Sequence, residues 1–314
     1  MHKRLVNHCT IELSLIPQGP VLIKSGKEGA DPTKPDMEFV ETFHAGGRSI
    51  YFPGSSLKGA LRAHAERIVR TIGKDERPDD PAELWASNPL DHNSYRYLEN
   101  EKSAQRIYQR SSFTDQLFGS VMIASRLRIE DAYPVGAVKT EERNGVAIDR
   151  VFGSVAVGPF NYQVCTAGEF RTKIHLKNFT LEQLGLLGLV LRDLNDGWFG
   201  LGFAKSRGMG LVEVQLKTAK VEYPGCVIDE DQIQLLGSEL RWPSTTLLGA
   251  GAFLSDAERS RYGFPADDTQ PTPVAGQPMT YGLGVQLQWE GEQIADLFTR
   301  AVTAWRRRLQ GVTA

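Results

Sequence analysis

The strongest local signal in the chain lies between Thr180 and Leu194. Thr180-Leu-Glu-Gln183 is a capping box, in which a threonine and a glutamine three residues on each satisfy a free backbone N–H at a helix start. Beyond it, Leu181, Leu184, Leu187, Leu191 and Leu194 recur at helical spacing on one apolar face, and Asp196-Gly197 stops the run. A helix with one apolar face has to be laid against something. The flanking segments supply it: Phe160 to Leu176 reads as a strand bent near Ala167-Gly168, and Leu211 to Val221 as a second strand.

The preceding half of the chain repeats this alternation. Cys9 to Ile16 sets Cys9, Ile11, Leu13 and Leu15 against Thr10, Glu12 and Ser14, the period of a half-buried strand. Pro53-Gly54 then breaks the backbone, Ser55 or Ser56 is placed to cap, and Leu57, Leu61, Ile68 and Ile72 make the stripe of a helix that begins at Ser55. Met122 to Ala132 alternates Ile123, Leu127 and Ile129 with Arg126, Arg128 and Glu130, giving the second core strand. The resulting order, β-α-β-β-α-β, predicts an α+β protein with a ferredoxin-like core, the arrangement that RNA-recognition modules also use.

Several segments decorate that core. Lys24 to Ser49 reads as a long polar loop, and residues of about 74–120 as a long insertion. A projecting thumb hairpin of about 133–159 is expected to turn at Asn144-Gly145, with Lys139, Arg143 and Arg150 around it. The core domain spans 1–222. Residues 223–314 form a C-terminal extension, read as a cap or docking surface for a neighbouring subunit. It ends in an amphipathic helix whose face is Ile294, Leu297, Phe298, Ala301 and Trp305; Arg306-Arg-Arg308 suits a helix C-terminus for dipole reasons alone.

Composition limits the function classes. The 314 residues are 41% hydrophobic and 24% charged, ample for a core, and the formal net charge is -2. Nucleic-acid binding must therefore rest on a local basic patch. The 3 cysteines (Cys9, Cys165, Cys226) show no CxxC or Cys/His spacing, so neither a zinc site nor a disulfide framework is indicated, and a reducing, cytoplasmic location is the default. The N-terminal segment alternates like a strand instead of forming a signal sequence, and Leu184 to Leu194 is too short to cross a bilayer.

Two motifs invite an anion. The helix start at Phe52-Pro-Gly-Ser-Ser-Leu-Lys-Gly-Ala-Leu-Arg62 offers free N–H groups and a dipole, with Lys58 and Arg62 one turn in. An ordinary solvated helix is the alternative. Gly200 to Gly210 matches neither a P-loop nor a dinucleotide fingerprint and opens a strand, not a helix. It reads either as a flexible loop presenting Lys205, Ser206 and Arg207 to a polyanion or as a plain turn. Ser55-x-x-Lys58 lacks the partners that acyl-serine chemistry needs. His64 reads as a packing residue, while His44 in the polar loop is a better acid–base candidate. Asp31 and Asp36 are turn formers, or, beside an RNA backbone, carboxylates able to hold Mg²⁺ or orient a ribose 2′-OH.

Taken together, the Phe52–Arg62 stretch, Lys139-Thr-Glu-Glu-Arg-Asn-Gly-Val-Ala-Ile-Asp-Arg150 and Gly202-Phe-Ala-Lys-Ser-Arg-Gly-Met-Gly210 resemble the RAMP superfamily. Within it they resemble the backbone subunits of type III CRISPR effector complexes, of the Csm and Cmr kind. Phe113-Thr-Asp-Gln-Leu-Phe-Gly119 and Arg126-Leu-Arg-Ile-Glu-Asp131 fit the same pattern. The resemblance covers about Cys9 to Glu222 and implies a cytoplasmic ribonucleoprotein of antiviral defence. Its partners would be a guide RNA (crRNA), a target single-stranded RNA, and further subunits including copies or paralogues of this chain, with no membrane involved. It implies Ser55, Ser56, Lys58 and Arg62 as guide-backbone contacts, Lys205, Ser206 and Arg207 as contacts of the glycine-rich loop, and Lys139 to Arg150, including Arg143, as the thumb that interrupts the guide–target duplex. It places an Mg²⁺-dependent endoribonuclease function on Asp36, the metal ligand, with Asp31 as the other catalytic candidate. A non-catalytic scaffold, or a metal-free guide-processing ribonuclease using His44 or His64, are the other readings.

Overall fold

Strand β1 (His8–Pro17) buries Cys9, Ile11, Leu13 and Leu15 on one face, as its alternation requires. The computed structural model, which describes residues 4–26, 35–88, 90, 91, 93 and 95–310, continues with a short hairpin, β2 (Glu41–His44) and β3 (Gly47–Ile50), and then helix α1 (Gly54–Ile72). The segment read as one polar loop thus contains a hairpin. Ala45 and Gly46 both have positive φ, 49° and 84°, the two-residue turn whose twist suits paired strands.

Helices α2 (Ala104–Arg110) and α3 (Phe113–Phe118) lie in the insertion. Strands β4 (Leu127–Ile129) and β5 (Tyr133–Pro134) follow, then the paired arm β6 (Lys139–Ile148) and β7 (Val155–Ala167), strand β8 (Phe170–Lys177), helix α4 (Leu181–Asn195) and strand β9 (Val212–Tyr223). The core strands pair in the order β9-β1-β8-β4, each antiparallel to its neighbour. Numbered within the predicted β-α-β-β-α-β core, that order is 4-1-3-2, the ferredoxin-like arrangement, and the fold is α+β.

Past β9 the chain forms two small separate sheets and then returns to the main sheet. After β10 (Cys226–Asp229), β11 (Gln232–Leu235), β12 (Arg241–Pro243), β13 (Thr246–Leu248), α5 (Asp256–Tyr262), β14 (Thr269–Pro271) and β15 (Gln277–Pro278), strand β16 (Val285–Glu290) pairs with the outer edge of β9. The small sheets are β10-β11-β12 and β13-β14. Helix α6 (Ile294–Leu309) closes the chain against α4. Trp289, Ile294, Leu297 and Trp305 belong to the same continuous core as Ile11 and Leu184.

Contacts with two helices explain why α4 departs from a one-faced helix. Leu186 and Val190, outside the leucine stripe, are also fully buried; they share a side of α4 with Asp193, which bonds His64 of α1, while α6 lies over the side that carries Gly185 and Gly188. The glycines make that approach feasible. A Cβ at Gly185 would stand 2.9 Å from the Ala301 backbone, and one at Gly188 2.5 Å from the Phe298 ring.

The arm differs from expectation in one respect. Asn144-Gly145 is not its turn: Asn144 pairs with Asn161 and Gly145 with Phe160 in the middle of the ladder. A Cβ on Gly145 would meet the Phe160 ring at 2.8 Å, so the glycine makes room for an aromatic neighbour across the strand. The turn lies at residues 149–154, where Asp149 accepts the Val151 and Phe152 N–H groups and Gly153 has φ 66°. Among the described residues no helix is long and apolar enough to cross a membrane. Cys9, Cys165 and Cys226 are free thiols, all buried, in the sheet, the arm base and the extension respectively.

Candidate nucleic-acid interface

Strand register gathers the distant motifs at one end of the sheet. Leu15 faces Phe170 on one side and Val214 on the other, so the C-terminal end of β1 lies beside the N-terminal ends of β8 and β9. The arm enters β8 at that end, and the glycine-rich loop enters β9 there. Strand β4 finishes at the same end, and α1 starts against it: a Cβ on Gly54 would stand 2.3 Å from the Ile129 carbonyl oxygen. Glycine is required at that close approach.

The start of α1 is not built as an open anion site. Pro53 occupies the cap position, and neither serine caps; both Ser55 and Ser56 are exposed. Instead the Gly54 N–H donates to Asp131 Oδ1 at 2.7 Å, so a carboxylate already faces the helix dipole. Lys58 Nζ donates to Ser125 Oγ at 2.7 Å and to the Leu127 carbonyl at 3.2 Å. Burial, with Arg62 nearby, lowers the Lys58 pKa.

Arg62 is bound more tightly still. Its guanidinium donates to Glu66 at 2.9 Å, to the Gly119 carbonyl at 2.8 Å and to the fully buried Asp115 at 2.7 Å. Asp115 also accepts from Ser112, Tyr95 and Ser87. The two cations of the helix start therefore brace α1 against β4 and α3. Sequence reasoning had no means of seeing Asp115 as the partner of Arg62, although it sits inside the Phe113–Gly119 motif.

The glycine-rich loop has the opposite character. Its backbone is fixed to the segment after β1: Phe203 N–H donates to the Leu22 carbonyl at 2.8 Å, and Gly210 N–H to the Pro20 carbonyl at 2.9 Å. Gly202 has φ 74°, and a Cβ there would stand 2.1 Å from the Leu22 oxygen. Lys205, Ser206 and Arg207 form an exposed 3₁₀ turn on this rigid base, with the Arg207 guanidinium 5.1 Å from the centre of the Phe203 ring.

On the arm Lys139, Arg143 and Arg150 are all exposed, and Arg143 pairs with Glu141 at 3.3 Å. Lys139, Arg150, Lys205 and Arg207 have no carboxylate partner among the described residues, which leaves them as free cations at this end of the molecule. The arm tip is apolar and exposed, with Val151 at 80% and Phe152 at 84%.

Asp36 lies alongside the middle of the arm. Its Oδ2 accepts the Asn161 N–H at 2.9 Å, and the adjoining backbone is fixed to β7 by Met37 and Gln163. The carboxylate is exposed and its other oxygen takes no partner among the described residues. Asp31 lies outside the described residues. No group of three or more His, Cys, Asp and Glu among the described residues is placed to hold a metal ion. A single exposed carboxylate still fits Mg²⁺, which is commonly held by one or two carboxylates together with substrate phosphates and water.

The histidines separate clearly. His64 is buried between α1 and α4, with Nε2 2.7 Å from Asp193 Oδ2 and its ring stacked on Phe199. His44 is exposed on the β2–β3 hairpin. A separate cavity of about 490 Å³, lined by Trp85, Phe113, Phe264 and Trp305, opens at the other end of α1, and none of the candidate site residues lines it. A family model described as the RAMP superfamily matches residues 17–213, and no curated protein matches the chain.

Proposed function

Because the chain belongs to the RAMP superfamily, whose members are generally CRISPR-associated proteins that bind RNA within multi-subunit complexes, we propose that it is a guide-RNA-binding backbone subunit of a type III, Csm/Cmr-like complex. The observation that carries this reading is the convergence of the glycine-rich loop and the arm at one sheet end, with Asp36 alongside the arm and Lys205, Arg207, Lys139 and Arg150 free of carboxylate partners among the described residues. Lys205, Ser206 and Arg207 hold guide phosphates on a backbone that does not need to reorganise. Lys139 and Arg150 flank the strand along the arm, and the apolar tip is suited to separating stacked bases. Ser55 and Ser56 are free to add hydroxyl contacts, whereas Lys58 and Arg62 serve the groove by holding α1 in place.

For cleavage of bound target RNA, Asp36 would hold the Mg²⁺ through its unpartnered oxygen while the Asn161 N–H fixes the other. The metal, when bound, supplies charge stabilisation at the phosphodiester. The Asn161 bond keeps the carboxylate oriented, so the residue's own task is to position and neutralise. The lone carboxylate equally supports a non-catalytic scaffold, in which Asp36 only ties its loop to the arm.

One set of measurements on the reconstituted complex separates these. Lys205→Ala together with Arg207→Ala should weaken guide binding about tenfold and reduce the steepness of its logarithmic salt dependence by roughly 1.4, the share of two phosphate contacts on a single strand. Asp36→Ala should abolish metal-dependent cutting and leave target binding intact. Unchanged cleavage removes Asp36 from the mechanism, and an unchanged salt slope removes the loop from the interface.

A further inference from the structure

The β2–β3 hairpin buries almost none of its own surface; of its strand residues only Ile50 is buried, and Phe43 stands 82% exposed. A ring stack ties its tip to the sheet. His44 lies 3.8 Å from Tyr133, centre to centre, with the planes only 6° apart, and Tyr51 lies 5.8 Å from the same tyrosine at 18°. Tyr133 is fixed in turn by a 3.3 Å hydrogen bond from its hydroxyl to Asp131 Oδ2, the carboxylate that also receives the Gly54 N–H.

One face of the His44 ring is covered by Tyr133, yet the residue is exposed, so the open area belongs to its other face and edges. The ring borders an open groove of about 620 Å³, whose lining carries Arg128, Arg171 and Lys173 together with Glu130 and Asp131. The cations are 70%, 45% and 46% exposed and make only loose surface contacts with glutamates, the shortest at 3.3, 3.2 and 3.7 Å respectively. Ion pairs of that kind contribute little and yield readily to a phosphate. Aliphatic side chains, those of Ile129, Pro134 and Val135, are a minority of the lining, which does not suit the groove to a hydrophobic anchor. A planar aromatic platform beside three loosely paired cations instead matches a nucleotide whose base is unpaired.

We propose that this groove takes an unpaired base of a bound RNA strand, stacked on the open face of His44, with its flanking phosphates on Arg171, Lys173 and Arg128. The inference rests on the RNA-binding reading above and adds to it a base-contacting site outside the glycine-rich loop and the arm. Tyr133 is a positioning residue: it sets the plane of the imidazole from the covered side.

The test uses the full chain and three fluorescent probes: a single-stranded RNA, an abasic oligonucleotide of the same length, and inorganic polyphosphate. His44→Ala should weaken RNA binding about tenfold, within the range of one lost base stack. It should leave the abasic and polyphosphate affinities unchanged, and His44→Phe, which restores a ring, should recover RNA binding. The thermal midpoint of each variant, read in parallel, should match the wild type. RNA binding by His44→Ala equal to that of the wild type, while Lys205→Ala with Arg207→Ala lowers it, overturns the stack and leaves the proposed function standing; the groove then falls to a protein neighbour. Equal weakening toward all three probes also overturns it, since a base contact cannot act on polyphosphate. A wild-type chain that binds no RNA overturns both.

Discussion

Arg62 and Arg207 show how differently one residue type is used at the same end of the molecule. Arg62 gives its donors to Glu66, Gly119 and Asp115, and it is the loss of Asp115 that would leave the cluster uncompensated. Asp115→Ala should therefore destabilise the protein by about 3 kcal/mol, as the loss of one member of a buried pair does, and Asp115→Asn by less because it keeps an acceptor. Urea unfolding of both variants checks this, and a shift under about 0.5 kcal/mol, the size of a surface substitution, would contradict it. Arg207 has no such partner among the described residues and rests on Phe203, so its replacement should cost binding without stability. Nothing local distinguishes the two arginines in the sequence. Each is a cation near glycines, and the deciding partner of Arg62 lies more than fifty positions away.

At the scale of elements, what was legible is what local periodicity encodes. The capping box of α4 is present as read, with both reciprocal bonds, and Leu181 N–H also donates to the buried Asp268 at 2.9 Å. Thr180→Ala should cost about 1 kcal/mol, the usual value of a helix cap, and a calorimetric or urea measurement tests it. The alternation of β1 was equally legible because every second residue has to face the helices. The arm turn was not: Asn-Gly is a strong turn signal, but Phe160 and Tyr162 need the space that Gly145 leaves, and the Asp149 carboxylate organises a turn further along the strand. The β2–β3 hairpin escaped for a related reason. Its residues are mostly polar and exposed, so no apolar period marks it, and a positive φ at Ala45 leaves no trace in composition.

On the scale of the whole molecule, the family match ends at residue 213 while the sheet and core do not. Strand β16 covers the edge of β9, α6 covers α4, and Trp289 and Trp305 are buried in the shared core. A chain cut after residue 222 should therefore lose cooperative unfolding and bind a hydrophobic dye, whereas the full chain should show one transition followed by tryptophan fluorescence and by circular dichroism alike. A truncated chain that unfolds cooperatively at the same midpoint would refute this dependence. The three buried thiols give the molecule a further property. Burial pushes the Cys165 thiol up to about 11 and the Cys226 thiol up to about 12, and raises Cys9 as well, so none is a nucleophile while its surroundings stay closed. One reports on the central sheet, one on the root of the arm and one on the extension. The order in which an alkylating reagent reaches them, read by mass, is therefore a record of which part of the protein opens first, and the comparison with and without bound RNA shows which part the ligand holds shut.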